Sequence, residues 1–214
     1  LSILYLPKSE LIFISFELIG QITALIIVCK LWSSFYYRIL KQPKHPLSYG
    51  KWVIVTGSTA GIGKEYADYC AKLGMSVLLI SRSENKLKDQ QKELLNDHKG
   101  VEVRYLAYDF TDMGPARAKF YEELGKECIK MDEDGGLGVL INNVGIANQY
   151  PELLVENTDK LIADMINCNM DSTVFMSRAV LKVMEPRNKG AIINVSSGSG
   201  NMPSPYISVY SATK

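Results

Sequence analysis

The sequence predicts an α/β protein with a doubly wound parallel sheet, preceded by an N-terminal hydrophobic helix. Three observations lead to this prediction. Short apolar runs alternate with amphipathic segments from Trp52 onward, a glycine-rich turn follows the first run, and residues 11–29 are almost entirely apolar. Strands that alternate with helices form parallel sheets covered on both faces, with right-handed crossovers.

The apolar segment at residues 11–29 has about the length that a helix needs to cross a bilayer core. Glu17 and Gln21 interrupt it, and a carboxylate near mid-membrane is unfavourable. Interfacial aromatic residues and basic residues accompany its C-terminal side: Trp32, Phe35, Tyr36, Tyr37, Lys30, Arg38, Lys41 and Lys44. The positive-inside rule then places the rest of the chain in the cytosol.

We favour a spanning or hairpin anchor for this segment. A helix that lies in the membrane interface is the alternative, and Glu17 favours it because a carboxylate is unfavourable in the bilayer core. A cleaved signal peptide is disfavoured, because no small-residue cleavage site follows and the flanking charge is on the wrong side. Residues 41–50, with two prolines, indicate a linker. We therefore expect an anchor and linker at residues 1–48 and one domain at residues 49–214.

The elements of this domain follow in chain order. Each strand is a short apolar run, and each helix shows apolar residues at helical spacing, with Gly74 ending the first helix. The predicted strands span residues 52–56, 76–80, 101–108, 137–142 and 190–196. The predicted helices span residues 62–73, 84–97, 116–130 and 158–184, and a further helix begins near Val209.

The composition excludes several classes of function. The 214 residues carry a formal net charge of +1, which gives no electrostatic reason to expect nucleic acid as a partner. The four cysteines are widely spaced, with no metal-ligand pairing, and indicate free thiols in a reducing compartment. His45 and His98 lie in no ligand-like cluster, so neither a metal site nor a Ser-His-Asp triad is predicted.

The glycine-rich turn "TGSTAGIG" spans residues 56–63, between the first strand and the first helix. Glycines at positions 57, 61 and 63 permit a tight turn and a close approach by a phosphate, and the helix N-terminus offers amide donors. The spacing T-G-x-x-x-G-x-G differs from the common G-x-G-x-x-G fingerprint. In its strand-turn-helix context, the turn predicts a nucleotide cofactor.

The end of the second strand specifies the cofactor further. NAD-binding folds place an acid there for the ribose hydroxyls. This chain has "ISRS", with Ser81 and Arg82 and no adjacent acid, which suits a 2'-phosphate and favours NADP(H). Asp109, after the third strand, can accept a hydrogen bond from the adenine amine, and a turn or N-cap role is the open alternative.

These residues resemble the short-chain dehydrogenase/reductase family. "NNVG" at residues 142–145 stands where the family has N-N-A-G, "NVSS" closes the fifth strand, and "YSATK" fits the family's Y-x-x-x-K. The resemblance covers residues 49–214 and implies a Rossmann-like fold. It implies cofactor contacts from the following residues: Gly57, Ser58, Gly61, Ile62, Gly63, Arg82, Asp109, Asn143, Gly145, Tyr210 and Lys214.

Reduction of a ketone requires an acid that delivers a proton to the carbonyl oxygen. A free tyrosine, with a pKa of about 10, is a poor donor at neutral pH, and a nearby ammonium lowers that pKa. Tyr210 and Lys214, four residues apart on a helix, are therefore the predicted acid/base and its tuner. The resemblance adds that this lysine holds the nicotinamide ribose.

Serine and asparagine candidates complete the predicted catalytic set. Ser196, Ser197 and Ser199 could each bind the substrate oxygen, and the family's spacing of thirteen residues before the tyrosine selects Ser197. The family also places an asparagine in the helix between strands four and five, where it holds a water for proton relay. Of Asn167 and Asn169, the match of "NMDSTVF" to the family pattern selects Asn169.

The sequence resembles one membrane-bound branch of the family in its N-terminal hydrophobic segment, its aromatic stretch and the segments "YGKWVIVTGSTAGIGKEYA", "LISRSENKL" and "SATK". That branch contains very-long-chain 3-oxoacyl-CoA reductases and 17β-hydroxysteroid dehydrogenases of the endoplasmic reticulum. This implies an NADPH-dependent reductase of a lipid keto group at that membrane, with its domain in the cytosol. The expected substrate is a 3-oxoacyl-CoA, with a steroid as the alternative, and a homodimer is a further expectation. A catalytically silent membrane scaffold with the same fold is the alternative from another class.

The family continues past the position of Lys214. We therefore interpret the sequence as partial, with the sheet truncated on its C-terminal side. Since a terminal lysine lies on a fraying helix end, the free polypeptide is expected to be poorly folded and inactive.

Overall fold

The computed structural model describes residues 8–41 and 44–214. These separate into two compact units, Leu1–Lys44 and His45–Lys214. Residues 1–7 of the predicted anchor and residues 42–43 of the predicted linker lie outside the described residues. The predicted division at residue 48 stays a prediction.

The described part of the first unit is one long helix, α1 (Lys8–Phe35), continued by a π-helical turn at Tyr36–Leu40. Every side chain described in it is exposed within its own unit, including the large apolar ones. Within residues 8–41 and 44–214, one helix, Ile12–Leu40, is long and apolar enough to cross a membrane. The length and composition of this helix are therefore compatible with the predicted anchor.

The second unit is a five-stranded parallel sheet with helices between the strands, so the predicted fold class is confirmed. Its strands are β1 (Trp52–Thr56), β2 (Ser76–Ser81), β3 (Val103–Ala107), β4 (Leu137–Asn142) and β5 (Ala191–Asn194). Its helices are α2 (Gly61–Lys72), α3 (Glu84–Asp97), α4 (Pro115–Glu133), α5 (Asp159–Met165), α6 (Ser172–Met184) and α7 (Ser208–Thr213). The strand order is β3-β2-β1-β4-β5.

The sheet separates two apolar cores. Side chains alternate along β1, so Trp52 and Ile54 pack on the face covered by α4 and α6, while Val53 and Val55 pack on the face covered by α2 and α3. Burial on both faces explains why β1, β2 and β4 are continuous apolar runs. The strand order reverses between β1 and β4, and in open α/β sheets the ligand crevice lies at that point.

One predicted helix is wrong in detail. Residues 158–184 do not form one regular helix, because a π-helical turn at Ile166–Asp171 separates α5 from α6. Single π-helical turns occur frequently at functional sites. Asn169 lies within this turn and is only 5% exposed.

Candidate active site

The glycine turn between β1 and α2 takes a backbone path that side chains would obstruct. Gly57 has φ +62°, and a Cβ there would lie 3.0 Å from the Cα of Val144. A Cβ on Gly63 would meet the carbonyl oxygen of Gly57 and the side chain of Asn143. The start of α2 therefore packs directly against the turn that follows β1.

Asn143 holds this turn from the end of β4. Its Nδ2 donates to the carbonyl oxygens of Thr56, at 3.0 Å, and Gly57, at 3.1 Å. In return, the Thr56 hydroxyl oxygen accepts from the backbone amides of Asn143, at 3.0 Å, and Val144, at 3.1 Å. Asn143 thus fixes the shape of the turn and also borders the cleft above it.

A cleft of about 470 Å³ lies above this turn, at the carboxyl ends of the strands. Six of the predicted cofactor residues line it: Gly57, Ile62, Arg82, Asp109, Asn143 and Gly145. Thr59, Ala60, Lys86 and Cys168 also line it, although none of them belongs to the predicted set. Ser58 does not line the cleft, because its side chain is completely buried and its Oγ has no partner within the described chain.

Two cations border one end of the cleft. Arg82 places Nη1 3.7 Å from Oδ2 of Asp109, and its side chain is 76% exposed. The other carboxylate oxygen, Oδ1, accepts from the backbone amide and the hydroxyl of Thr111, at 3.0 and 2.9 Å. Asp109 therefore has the turn role left open by the sequence, and it still borders the cleft.

Lys86 is the second of these cations, and attention to basic residues at the start of the helix after Arg82 could have identified it. It lies in the first turn of α3, four residues after Arg82, and it also lines the cleft. Its ammonium has no ion-pair partner within residues 8–41 and 44–214. Nearby, the hydroxyls of Thr59 and Ser81 lie 2.9 Å apart. Two cations and two hydroxyls form a suitable environment for a phosphate group.

Tyr210 lies within α7, and Lys214 directly follows the last residue of this helix. Nζ of Lys214 donates to the carbonyl oxygen of Val195 at 2.8 Å. It lies beneath Gly145, where an added Cβ would be 3.1 Å from it. Burial lowers the pKa of the Lys214 ammonium below its ordinary value. The Tyr210 hydroxyl has no hydrogen-bond partner within the described chain, so it is free to meet a ligand.

The three candidate serines have different hydrogen bonds. The Ser196 hydroxyl donates to the backbone oxygen of Lys214 at 2.5 Å. Ser197 Oγ accepts from the amide of Ser199, at 3.3 Å, and from its hydroxyl, at 2.9 Å. The hydroxyl hydrogens of Ser196 and Ser199 are therefore engaged, while that of Ser197 remains available. The choice of Ser197 stays a prediction.

Asn169 connects the π-helical turn to two other parts of the site. Its Nδ2 donates to the Ile146 carbonyl oxygen at 2.9 Å and to the Thr213 hydroxyl at 2.8 Å, and its Oδ1 accepts from the Ile146 amide at 2.8 Å. Both amide hydrogens are used within the protein. The side chain therefore joins the end of β4 to the residue before Lys214.

Comparisons with known proteins place these features in a family. The sequence model described as "short chain dehydrogenase" matches residues 51–214. The chain is 45% identical over 167 residues to the human very-long-chain 3-oxoacyl-CoA reductase, and it covers 50% of that protein. It is 43% identical to the zebrafish (Danio rerio) very-long-chain 3-oxoacyl-CoA reductase-A, of which it covers 49%. Each match includes 77% of this chain, which thus spans about half the length of these relatives.

Solved structures agree with this assignment. A short-chain dehydrogenase from Sphingobium yanoikuyae in complex with NADPH is 29% identical, with a TM-score of 0.66, over 76% of this chain and 59% of the other. The actinorhodin polyketide ketoreductase with NADPH is also 29% identical, with a TM-score of 0.64 and the same shares. With the glycine turn, the cleft and the Tyr210–Lys214 helix in place, the chain belongs to the short-chain dehydrogenase family.

Proposed function

We propose that the protein is an NADPH-dependent reductase of a lipid keto group, with a 3-oxoacyl-CoA as its substrate. The observation that carries the proposal is that the cofactor cleft and the residues of the Tyr210–Lys214 segment meet at one edge of the sheet. A nucleotide-sized cleft bordered by Arg82 and Lys86 reaches Gly145, directly above the ammonium of Lys214. The names of the relatives, very-long-chain 3-oxoacyl-CoA reductases, support the choice of substrate.

The residues present fit NADPH. The part of the cleft that Gly57, Thr59 and Ala60 line, at the N-terminus of α2, suits a pyrophosphate, and Arg82 with Lys86 suits a 2'-phosphate. Gly145 and Lys214, whose ammonium would be 3.1 Å from a Cβ on Gly145, would hold the nicotinamide ribose. When bound, NADPH supplies the hydride that adds to the carbonyl carbon.

The chain's own residues then supply the proton and hold the substrate. Tyr210 donates its phenolic proton to the carbonyl oxygen, which becomes the hydroxyl of the product. The Lys214 ammonium stabilises the phenolate that remains. Ser197 donates its available hydroxyl hydrogen to the same carbonyl oxygen, and Asn169 keeps α7 against the end of β4.

The proposal extends to location and assembly. Residues 1–48 would anchor the protein in the membrane of the endoplasmic reticulum, and residues 49–214 would face the cytosol; the exposed apolar helix and its basic C-terminal flank support this. A homodimer is supported by exposed apolar side chains at intervals of four and seven residues around α6: Ile166, Met170, Val174 and Leu181. Protease protection in microsomes tests the orientation, and cross-linking tests the dimer.

The full-length gene product, expressed in microsomes, provides the test of function. NADPH oxidation is followed with a long-chain 3-oxoacyl-CoA and, separately, with a 17-ketosteroid. We expect turnover of the acyl-CoA that is lost in Tyr210→Phe and unchanged in Tyr206→Phe, a matched control in the turn just before α7. Preference for the steroid would overturn the choice of substrate. NADPH binding without turnover of either compound would favour a catalytically silent scaffold.

A further inference from the structure

Gln90 is an unusual residue for its position in α3. It is 4% exposed and lies on the same helix face as Leu87 and Leu94, which are buried in the core. A third apolar residue would suit this face, since residues three and four apart share one side of a helix. The Gln90 Oε1 has no partner within the described chain, and an unpaired buried polar atom is unfavourable. Packing alone therefore does not explain a glutamine here.

The other end of the Gln90 amide binds the glycine turn. Its Nε2 donates to the carbonyl oxygen of Ser58 at 2.8 Å. Ser58 directly follows Gly57, whose φ is +62°, so this carbonyl lies where the chain reverses. The Ser58 amide makes a longer hydrogen bond to Ile80 at 3.3 Å. Within the described residues, Gln90 is the one side chain that binds the Ser58 peptide group.

Each side of the turn thus has its own support. Asn143 holds Thr56 and Gly57 from β4, and Gln90 holds Ser58 from α3. Without Gln90, the buried carbonyl oxygen of Ser58 would lack this hydrogen-bond donor. The peptide group that contains this carbonyl would then rotate towards a different donor. Such a rotation changes where the neighbouring backbone amides point, and these amides are the groups that can bind a phosphate.

We propose that Gln90 is a positioning residue, which holds the glycine turn in the shape that binds the pyrophosphate of the nicotinamide cofactor. This inference rests on the proposed function, because it assigns the turn to that cofactor. The pyrophosphate is common to NADPH and NADH. Loss of Gln90 therefore weakens both cofactors by the same factor.

The neighbouring glutamine provides a matched control. Nε2 of Gln91 also donates to a backbone carbonyl, that of Val103 in β3, at 2.6 Å. Gln90→Met and Gln91→Met each remove one glutamine-to-backbone hydrogen bond from the same helix and retain a side chain of similar length. Only Gln90 contacts the glycine turn.

The test measures dissociation constants for NADPH and NADH with the purified full-length protein and its two variants, together with thermal unfolding without cofactor. We expect Gln90→Met to weaken both cofactors about tenfold and Gln91→Met to leave them unchanged, whatever their effects on unfolding. Gln90→Asn, which keeps the amide but cannot reach Ser58, replaces Gln90→Met if that variant does not fold, and the same weakening is expected.

Three results would overturn the inference in distinguishable ways. Unchanged affinities in the Gln90 variant, with a wild type that binds NADPH, would refute the positioning role and leave the proposed function intact. Equal weakening in both glutamine variants would assign Gln90 a general structural role. A wild type that binds neither cofactor would refute the proposed function, and the inference with it.

Discussion

Asn169 and Ile146 form a reciprocal pair: the side-chain amide donates to the Ile146 carbonyl oxygen at 2.9 Å, and its oxygen accepts from the Ile146 amide at 2.8 Å. A buried side chain here reproduces the hydrogen bonding of a neighbouring strand. The third hydrogen bond, to Thr213, extends the pair to α7. The position of Tyr210 and Lys214 thus depends on a residue about 40 positions earlier.

Replacement of Asn169 tests this dependence. Asn169→Leu removes three hydrogen bonds and leaves the polar atoms of Ile146 without partners, so we expect the free energy of unfolding to fall by about 3 kcal/mol. Asn167→Leu, in the same π-helical turn, removes none that the structure records, and its effect should stay within about 0.5 kcal/mol. Urea denaturation of both full-length variants measures the difference, and equal effects would contradict this account.

Lys86 should contribute to the choice between NADPH and NADH. Lys86→Met removes one of the two cations at that end of the cleft, so we expect NADPH affinity to fall about tenfold at low salt and NADH affinity to remain unchanged. Lys88→Met is the control, because Lys88 pairs with Glu84 at 2.7 Å on the same helix and does not line the cleft. Fluorescence titrations with both cofactors give the ratio, and an unchanged ratio in Lys86→Met would contradict the assignment.

Cys168 should report cofactor binding through its reactivity. Burial raises the pKa of the Cys168 thiol to about 11, and Cys70 has a similarly raised pKa, also about 11. Since only the thiolate reacts, alkylation of either should rise about tenfold per pH unit between about pH 7 and pH 10. NADPH should protect Cys168, which lines the cleft, more than Cys70, which does not. Peptide mass spectrometry measures both rates, and equal protection would indicate only a general stabilisation.

Two glycines should respond in opposite ways to alanine. Gly125 lies within α4, and an added Cβ would meet nothing within 4 Å, so Gly125→Ala should raise the free energy of unfolding by about 1 kcal/mol. Gly63→Ala would drive a Cβ into the Gly57 carbonyl oxygen and should destabilise the protein. Thermal unfolding of the two variants tests the contrast, and a stabilised Gly63→Ala would show that α2 can move away from β1.

The sequence predicted strand bounds well where the apolar run itself and the burial of the strand in the sheet have the same limits. The strands at Trp52–Thr56 and Leu137–Asn142 have the predicted bounds, because each is an apolar run that ends at the polar or glycine-rich residues of the site. The third strand is shorter than predicted and forms at Val103–Ala107. Its first predicted residues, 101 and 102, lie outside the recorded pairing of β3 with β2, which begins at Val103.

The features that the sequence could not predict depend on partners distant in the chain. The π-helical turn accompanies the pairing of Asn169 with Ile146, which no periodicity encodes. Family motifs selected Ser58 for the cofactor, although its side chain is buried; its carbonyl binds Gln90 instead. Short motifs identify which peptide segment meets a ligand, whereas the direction of each side chain follows from packing.

The π-helical turn at Ile166–Asp171 also has a genetic consequence. Such a turn holds one residue more than an α-helical turn, so it acts as a single inserted codon within a longer helix. An in-frame deletion of one codon just before Asn169 would restore a regular helix and rotate that asparagine away from Ile146. Every family motif would survive such a deletion, so a motif search would not detect it.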